Sequence, residues 1–250
     1  MQHRFFPFLL SLLLLSACSY LPDAPLAPVA PGYEETADYI KLPAPAAEAA
    51  FVFIPGGLVD PHAYVPLMQR VAAEAGVTVF ILKVEANLAI LSLGQAGKLR
   101  KREAAYATWY VGGHSLGGVA AQAAVSRDPG AFAGVVFLGV YPAEGYSLAG
   151  WGGPVLSLYA ENDLLSTVVE VEGKVGFLPP AYPLPDITAL DTLAVRPPLT
   201  FYHLIEGGNH GQFGSYGFQE GDGVATISRE AQHARVSEAI TRFIQWCERL

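Results

Sequence analysis

The chain has 250 residues, of which 52% are hydrophobic and 15% are charged, so it can bury one large core and is not disordered over most of its length. Its 23 acidic residues outnumber its 15 basic ones, which gives a formal net charge of −8 and excludes a nucleic-acid partner on electrostatic grounds.

An export signal is predicted in residues 1–17, where Arg4 precedes an apolar run that ends at Leu15. A run of about a dozen apolar residues is too short to span a bilayer and is typical of a signal peptide. The following Leu15-Ser16-Ala17-Cys18 resembles the lipobox of bacterial lipoproteins, in which the cysteine is acylated and becomes the new N-terminus. Lipidation of Cys18 implies an exported protein anchored to a membrane, the outer one in a double-membraned cell because Ser19 follows. The alternative is an ordinary secretory signal with a chance cysteine.

Residues 18–37 carry a proline at every third position over part of their length, at Pro22, Pro25, Pro28 and Pro31. Polyproline II has three residues per turn, so the spacing predicts a semi-stiff tether that holds the domain about 40 Å from the membrane, at roughly 3.1 Å per residue. Residues 38–250 are then a single domain.

Short apolar runs alternate with helical patterns from about residue 38. This alternation predicts an α/β fold whose central sheet is mostly parallel, has about six to seven strands and is covered by helices on both faces. Strands are predicted at residues 50–54, 77–84, 106–111, 134–140, 154–159 and 199–205, with at most one more at 38–42, and helices at residues 65–75, 119–127 and 228–249. Residues 165–198 contain six prolines and little periodicity, so they form either a substrate-facing flap or an irregular crossover.

The pattern G-x-S-x-G occurs as Gly113-His114-Ser115-Leu116-Gly117, between a predicted strand and a predicted helix. Glycines at these positions allow a sharp turn that exposes the serine as a nucleophile. A phosphate-binding loop is excluded because the stretch matches neither common glycine-rich phosphate motif.

A serine nucleophile needs a base and a group that orients the base, in the chain order serine, acid, histidine. His210 alone among the six histidines lies just beyond the final predicted strand, in Gly207-Gly208-Asn209-His210-Gly211, so it is the candidate base. Asp163 is the preferred acid because it follows the strand at 154–159. The weaker rivals are Glu161, Asp186 and Asp191.

An oxyanion hole needs backbone N–H donors. The first candidate is the amide of Leu116, directly after the serine. The second comes from Gly57 or Leu58, in the loop after the first central strand, unless Gly56-Gly57 is only a tight turn.

Three stretches, FIPGGLVDPHAYVPL, GGHSLGG and IEGGNHGQFGSYG, together resemble the α/β-hydrolase superfamily and within it α/β-hydrolase family 5, over about residues 50–245. The resemblance implies Ser115, Asp163 and His210 as nucleophile, acid and base, and a serine hydrolase acting on small acyl or ester substrates. Acyl transfer by the same residues and a non-catalytic surface-binding lipoprotein remain the alternatives.

No cofactor and no metal are expected, because Gly221-Asp222-Gly223 lacks the spaced oxygen ligands of a calcium loop. Aromatic residues near strand ends predict an apolar pocket or, equally, core packing: Tyr141, Trp151, Phe213 and Tyr216. The oligomeric state is not predicted.

Overall fold

The computed structural model describes residues 19–23 and 33–250. The predicted signal peptide (residues 1–17), Cys18 and the middle of the predicted tether lie outside the described residues. In the described part of the chain, no helix is long and apolar enough to cross a membrane.

One sheet of eight strands forms the centre of the domain. The strands are β1 (Glu34–Glu35), β2 (Tyr39–Leu42), β3 (Ala49–Ile54), β4 (Thr78–Leu82), β5 (Thr108–His114), β6 (Gly134–Leu138), β7 (Val155–Ala160) and β8 (Thr200–Ile205). Their order is β1-β2-β4-β3-β5-β6-β7-β8, and only the pairs that β2 makes, with β1 and β4, are antiparallel. The predicted fold class and its seven strands are confirmed.

The sheet has one strand more than predicted. Strand β1 lies inside the predicted tether and pairs Glu34 with Lys41 and Glu35 with Ile40. Both of its residues are exposed and acidic, so no apolar alternation marks it in the sequence. The domain therefore begins before residue 38. Tyr20 and Asp23, which also lie inside the predicted tether, hydrogen-bond to the domain.

Five helices cover the sheet: α1 (Val65–Ala75), α2 (Gln95–Arg102), α3 (Leu116–Arg127), α4 (Val168–Gly173) and α5 (Arg229–Glu248). Helix α1 ends as predicted at Gly76, which adopts a φ of +70° that suits glycine. Ser228 caps α5 by accepting a hydrogen bond from the amide of Ala231. Helices α2 and α4 are absent from the predicted set because they are short and carry no long apolar period.

The two faces of the sheet bury separate cores, as β3 shows. Phe51 and Phe53 pack in a cluster with α1 and α5, whereas Val52 and Ile54 pack in a cluster with α3. Side chains alternate across a strand, so a strand covered on both faces is apolar throughout. Burial of each such side chain stabilises the fold by about 1.5–3 kcal/mol.

The strand order places a topological switch point between β3 and β5. The chain leaves β3 toward β4 on one side and leaves β5 toward β6 on the other, although β3 and β5 are hydrogen-bonded neighbours. In open parallel sheets, ligands bind in the crevice outside the carboxyl ends of the strands at such a point. The loops after β3 and β5 meet there.

Most of residues 165–198 forms a crossover that packs against the domain. Leu178, Ile187 and Leu190 are buried, and Ala181 makes a bridge to Thr200 of β8. Only the start of this stretch, Leu165 and Ser166, lines the cavity next to Ser115.

Candidate active site

Ser115 occupies a strained turn between β5 and α3. Its φ of +51° and ψ of −122° are unusual for a residue that is not glycine. The amide of Ser115 donates to the carbonyl oxygen of Leu138 at 3.0 Å, which ties the turn to the end of β6. The surrounding structure holds the strain, as expected where a side chain must be presented at a fixed place.

The glycines on either side of Ser115 allow close approach of the backbone. A Cβ on Gly113 would clash with the backbone of Gly117, and a Cβ on Gly117 would clash with the carbonyl oxygens of Ile54 and Pro55. The turn therefore packs directly on the end of β3, at the switch point.

His210 and Asp163 form a buried pair. Nδ1 of His210 lies 2.7 Å from Oδ2 of Asp163, and the two side chains are 1% and 0% exposed. Because a carboxylate only accepts hydrogen bonds, Nδ1 is the donor, which makes Nε2 the ring nitrogen available to accept a proton. That Nε2 is buried and has no hydrogen-bond partner among the described residues.

Asp163 is fixed by its second oxygen. Oδ1 accepts hydrogen bonds from the amides of Leu165 at 2.8 Å and Ser166 at 2.6 Å. Gly139, which lines the cavity at Ser115, is the point where this pair approaches the serine turn: a Cβ there would lie 3.0 Å from Nδ1 of His210 and 3.1 Å from Oδ2 of Asp163. The structure thus gathers Ser115, Asp163 and His210 at one edge, although it contains no hydrogen bond from His210 Nε2 to Ser115.

The rival acids serve other purposes. Glu161 is exposed and accepts from the amide of Gly207 at 2.7 Å. Asp186 accepts from the amide of Thr188, and Asp191 pairs with Arg242. None of the three contacts His210.

The loop that carries His210 is held by side chains that sequence analysis missed. The carboxylate of Asp222 accepts from the amides of His210 at 3.3 Å, Gly211 at 2.7 Å and Gly223 at 2.8 Å. Gln232 of α5 accepts from the amide of Asn209 and donates to its carbonyl oxygen. Gly221-Asp222-Gly223 is thus a support of this loop, which we call the histidine loop (residues 207–213).

A second buried pair, Tyr64 and His114, connects the turn to the loop after β3. The hydroxyl of Tyr64 accepts from the amide of Gly56 at 3.0 Å and forms a second hydrogen bond with Nδ1 of His114 at 2.8 Å. Burial, followed by the neighbouring His210, holds the pKa of His114 well below its usual range, so this ring is neutral. The rings of His114 and His210 lie 4.3 Å apart between centroids. No sequence signal identifies Tyr64.

The hydrogen bonds of the candidate oxyanion-hole amides decide which of them are still free to donate. The amide of Leu58 donates to the carbonyl oxygen of Asn87 at 2.7 Å, so Leu58 does not offer a free donor. The amides of Gly57 and Leu116 find no acceptor in the described chain, and Leu116 is the first residue of α3, where amides have no intrahelical partner. A Cβ on Gly57 would lie 3.3 Å from the Leu116 side chain, so Gly57 packs against Leu116.

A cavity of about 160 Å³ opens at the serine. It is lined by Ser115, Leu116, Val119, Gly139, Val140, Tyr141, Leu165 and Ser166. Among the predicted pocket aromatics only Tyr141 reaches it, since Trp151, Phe213 and Tyr216 are buried. A larger depression of about 490 Å³ near Gln95 and Arg102 lies away from Ser115. Within residues 19–23 and 33–250, no three potential metal ligands cluster.

Comparison with known proteins agrees with this architecture. Among solved structures, Est1E from Butyrivibrio proteoclasticus has a TM-score of 0.59 at 13% identity and covers 88% of this chain and 99% of its own. Dienelactone hydrolase from Anabaena variabilis gives 0.55 at 18% identity, covering 80% and 88%. The esterase domain of a Rhodothermus marinus protein gives 0.56 at 13% identity, covering 82% and 90%.

No curated protein sequence matches the chain significantly. The model of the alpha/beta hydrolase family matches residues 50–189 and 193–234, which is well over half of the chain. This match confirms the resemblance carried by the three motifs, and the chain belongs to the alpha/beta hydrolase family.

Proposed function

We propose that this protein is a serine hydrolase that cleaves carboxylic esters or related acyl compounds through an acyl-Ser115 intermediate. The observation that carries the proposal is the buried pair of His210 and Asp163, in which Nε2 of His210 has no partner. The ring of His210 lies 4.3 Å from that of His114, the residue directly before the strained Ser115. Two structurally similar proteins are described as a dienelactone hydrolase and an esterase domain, which supports an ester as substrate.

The first half of the reaction acylates the serine. Nε2 of His210 takes the proton of Ser115 as Oγ forms a bond to the carbonyl carbon, and the amides of Leu116 and Gly57 stabilise the oxyanion. Asp163 stabilises the imidazolium and keeps the ring oriented. The proton then passes to the leaving alkoxide as its bond to the acyl carbon breaks.

The second half releases the acid. Water loses a proton to Nε2 of His210 as its oxygen attacks the acyl carbon, and the proton returns to Oγ of Ser115 when the ester bond breaks. A positioned base of this kind contributes about 10²–10⁴-fold, and one oxyanion donor about 3 kcal/mol.

The size of the cavity indicates a short acyl group. Its volume of about 160 Å³ is below the roughly 300–1,000 Å³ typical of pockets for drug-sized ligands. Val119, Val140 and Leu165 make its walls apolar. In a panel of p-nitrophenyl esters, we expect acetyl to butyryl esters to give kcat/KM at least about 10-fold above that of the decanoyl ester.

Cys18 is proposed to be the membrane anchor of an exported protein, on the strength of its lipobox-like surroundings. Mass spectrometry of the N-terminal peptide from a bacterial membrane fraction would show the acyl chains directly, and Cys18→Ser would release the protein from that fraction.

A fluorophosphonate probe tests the proposed nucleophile. We expect it to label the wild-type protein and not Ser115→Ala, and hydrolysis of short esters to fall about 10⁵-fold or more in that variant. Ser166→Ala, a serine of the same cavity that lies after the acid, is the matched control and should keep its label. Equal labelling of wild type and Ser115→Ala would refute the assignment. If added alcohols were converted to new esters of the same acyl group, the enzyme would be an acyltransferase and not a hydrolase.

A further inference from the structure

The first described residues of the chain form a docked strand-like segment. The amide of Tyr20 donates to the carbonyl oxygen of Leu58 at 2.8 Å. The amide of Asp60 donates to the carbonyl oxygen of Tyr20 at 3.0 Å. These bonds make a parallel bridge between Tyr20 and Val59. The segment (residues 19–23, the docked segment) therefore lies on the loop that supplies Gly57.

The other end of the docked segment binds the loop after β8. The amide of Asp23 donates to the carbonyl oxygen of Ser215 at 2.9 Å, and its carboxylate pairs with Arg229 at 2.6 Å. The rings of Tyr20 and Tyr216 lie 5.5 Å apart between centroids. The docked segment thus joins the two loops that flank the candidate active site.

Exposed apolar side chains gather at this same edge. Several large ones lie on the docked segment or in the segments that follow the carboxyl ends of β4, β7 and β8, and we call six of these the apolar rim: Leu21, Ile90, Leu91, Leu164, Phe218 and Val224. Phe218 is 70% exposed and Val224 80%. The strands that precede these segments are parallel to β5, so the segments begin at the same edge of the sheet as the turn of Ser115. An edge that exposes several large apolar side chains is a candidate site of interaction with a protein or a membrane.

We infer that the carboxyl edge of the sheet faces a lipid bilayer, with the apolar rim in contact with the bilayer surface and the acyl chains of Cys18 inserted beside it. This inference depends on the lipid anchor proposed above. Cys18 is two residues before the docked Tyr20 in the sequence, and two residues of chain reach at most about 7 Å. An anchor there leaves no long spacer, and the edge that carries Ser115 is the one held at the membrane.

The charges at the edge favour neutral lipid. Glu85, Glu161 and Glu220 are exposed in the segments that carry the apolar rim. Acidic side chains are repelled by anionic headgroups, whereas apolar contact and inserted acyl chains do not depend on headgroup charge. The substrates reached from this orientation are esters that partition into the surface of a membrane.

Spin labels on the full acylated chain in phosphatidylcholine vesicles test the orientation. Labels are placed at Phe218→Cys and Val224→Cys, with Tyr33→Cys and Leu250→Cys as controls at exposed apolar positions outside the rim. Cys247 is replaced by serine throughout, so that no other thiol is labelled. We expect relaxation by oxygen, which concentrates in lipid, to exceed relaxation by a water-soluble nickel chelate at 218 and 224, with the reverse at 33 and 250. Equal relaxation at all four positions would overturn the inference, as would a chain recovered without acyl groups on Cys18.

Asp23→Ala tests the docked segment. Loss of its pair with Arg229 should lower the oxygen accessibility at 218 and slow hydrolysis of a vesicle-borne ester several-fold, while hydrolysis of a water-soluble ester is unchanged. If Asp23→Ala changed neither the oxygen accessibility at 218 nor the hydrolysis of the vesicle-borne ester, the docked segment would have no part in the orientation.

The labels should report the same orientation in Ser115→Ala. If that variant still hydrolyses esters, the proposed function is refuted while the orientation stands. If Ser115→Ala is inactive but the four labels relax equally, the orientation is refuted while the proposed function stands. Vesicles containing phosphatidylglycerol should bind no more tightly than neutral ones, and tighter binding would show that charge, not the apolar rim, drives the contact.

Discussion

The turn that carries Ser115 and the loop that carries His210 are built in different ways. The turn is formed by one contiguous stretch, in which Gly113 and Gly117 let the backbone at the start of α3 approach β5 and β3. The histidine loop is held by hydrogen bonds to Asp222 and Gln232, which lie 12 and 22 residues beyond His210. The turn therefore tolerates no added side-chain volume, whereas the histidine loop tolerates no loss of a hydrogen-bond acceptor.

The largest expected effect comes from adding one methyl group to the turn. Gly117→Ala should destabilise the fold by more than about 3 kcal/mol and abolish activity, because its Cβ meets the carbonyl oxygens of Ile54 and Pro55. Gly97→Ala on α2 is the control, since its Cβ meets nothing within 4 Å, and we expect it to be neutral or stabilising by about 0.5–1 kcal/mol. Thermal unfolding of the two variants measures the difference, and similar losses would contradict the steric account.

The histidine loop should fail by loss of an acceptor. Asp222→Asn keeps the volume but presents an NH₂ group to amides that need an acceptor, so we expect kcat to fall about 100-fold with little change in KM. The exposed neighbour Glu220 provides the control, as Glu220→Gln should leave both constants unchanged. A rise in KM alone would show that Asp222 acts on substrate binding instead of on His210.

Acid should weaken the support of the histidine loop. Burial, followed by Arg229, lowers the pKa of His233, next to Gln232 on α5, to about 4. The pKa of His233 in the folded state lies below the unfolded value near 6.5. Its contribution to the free energy of unfolding is therefore fully present above pH 6.5 and is lost as the pH falls toward 4. Between pH 8 and pH 5 this corresponds to about 2 kcal/mol. Urea unfolding at both pH values should show the loss in the wild type and a smaller one in His233→Gln; equal losses would assign the effect to His114 and other groups.

The smallest expected effect lies where the two regions meet. Tyr64→Phe removes one hydroxyl and leaves the amide of Gly56 and Nδ1 of His114 unpaired, so the loop with Gly57 loosens. We expect kcat to fall about 10-fold with KM unchanged. Tyr159→Phe, which loses only a bond to Glu172, should keep full activity, and the two variants behaving alike would remove Tyr64 from the site.

The same contrast explains what could be predicted from the sequence. The turn depends on Gly113, Ser115 and Gly117 within one strand-to-helix stretch, so its pattern is local and visible. The apolar runs that predicted seven strands are equally local, since strands buried on both faces are apolar throughout.

Features built from distant partners could not be predicted. Asp222 resembles any loop aspartate until the fold brings the amide of His210 to it, and Tyr64 resembles any core tyrosine. Strand β1 has no apolar residue that would reveal it in the sequence. The sequence likewise does not show that the amide of Leu58 donates to the carbonyl oxygen of Asn87. In each case the information lies in a pairing and not in a pattern.

The crossover that follows Asp163 has a consequence for protein engineering. Both hydrogen bonds that fix Oδ1 of Asp163 come from its first residues, Leu165 and Ser166, while the remainder packs elsewhere on the domain. A graft of foreign sequence that begins after Ser166 would therefore keep both of these hydrogen bonds to Asp163. The exposed positions beyond that junction can therefore be varied without touching the cavity at Ser115, provided that the buried Leu178, Ile187 and Leu190 stay apolar.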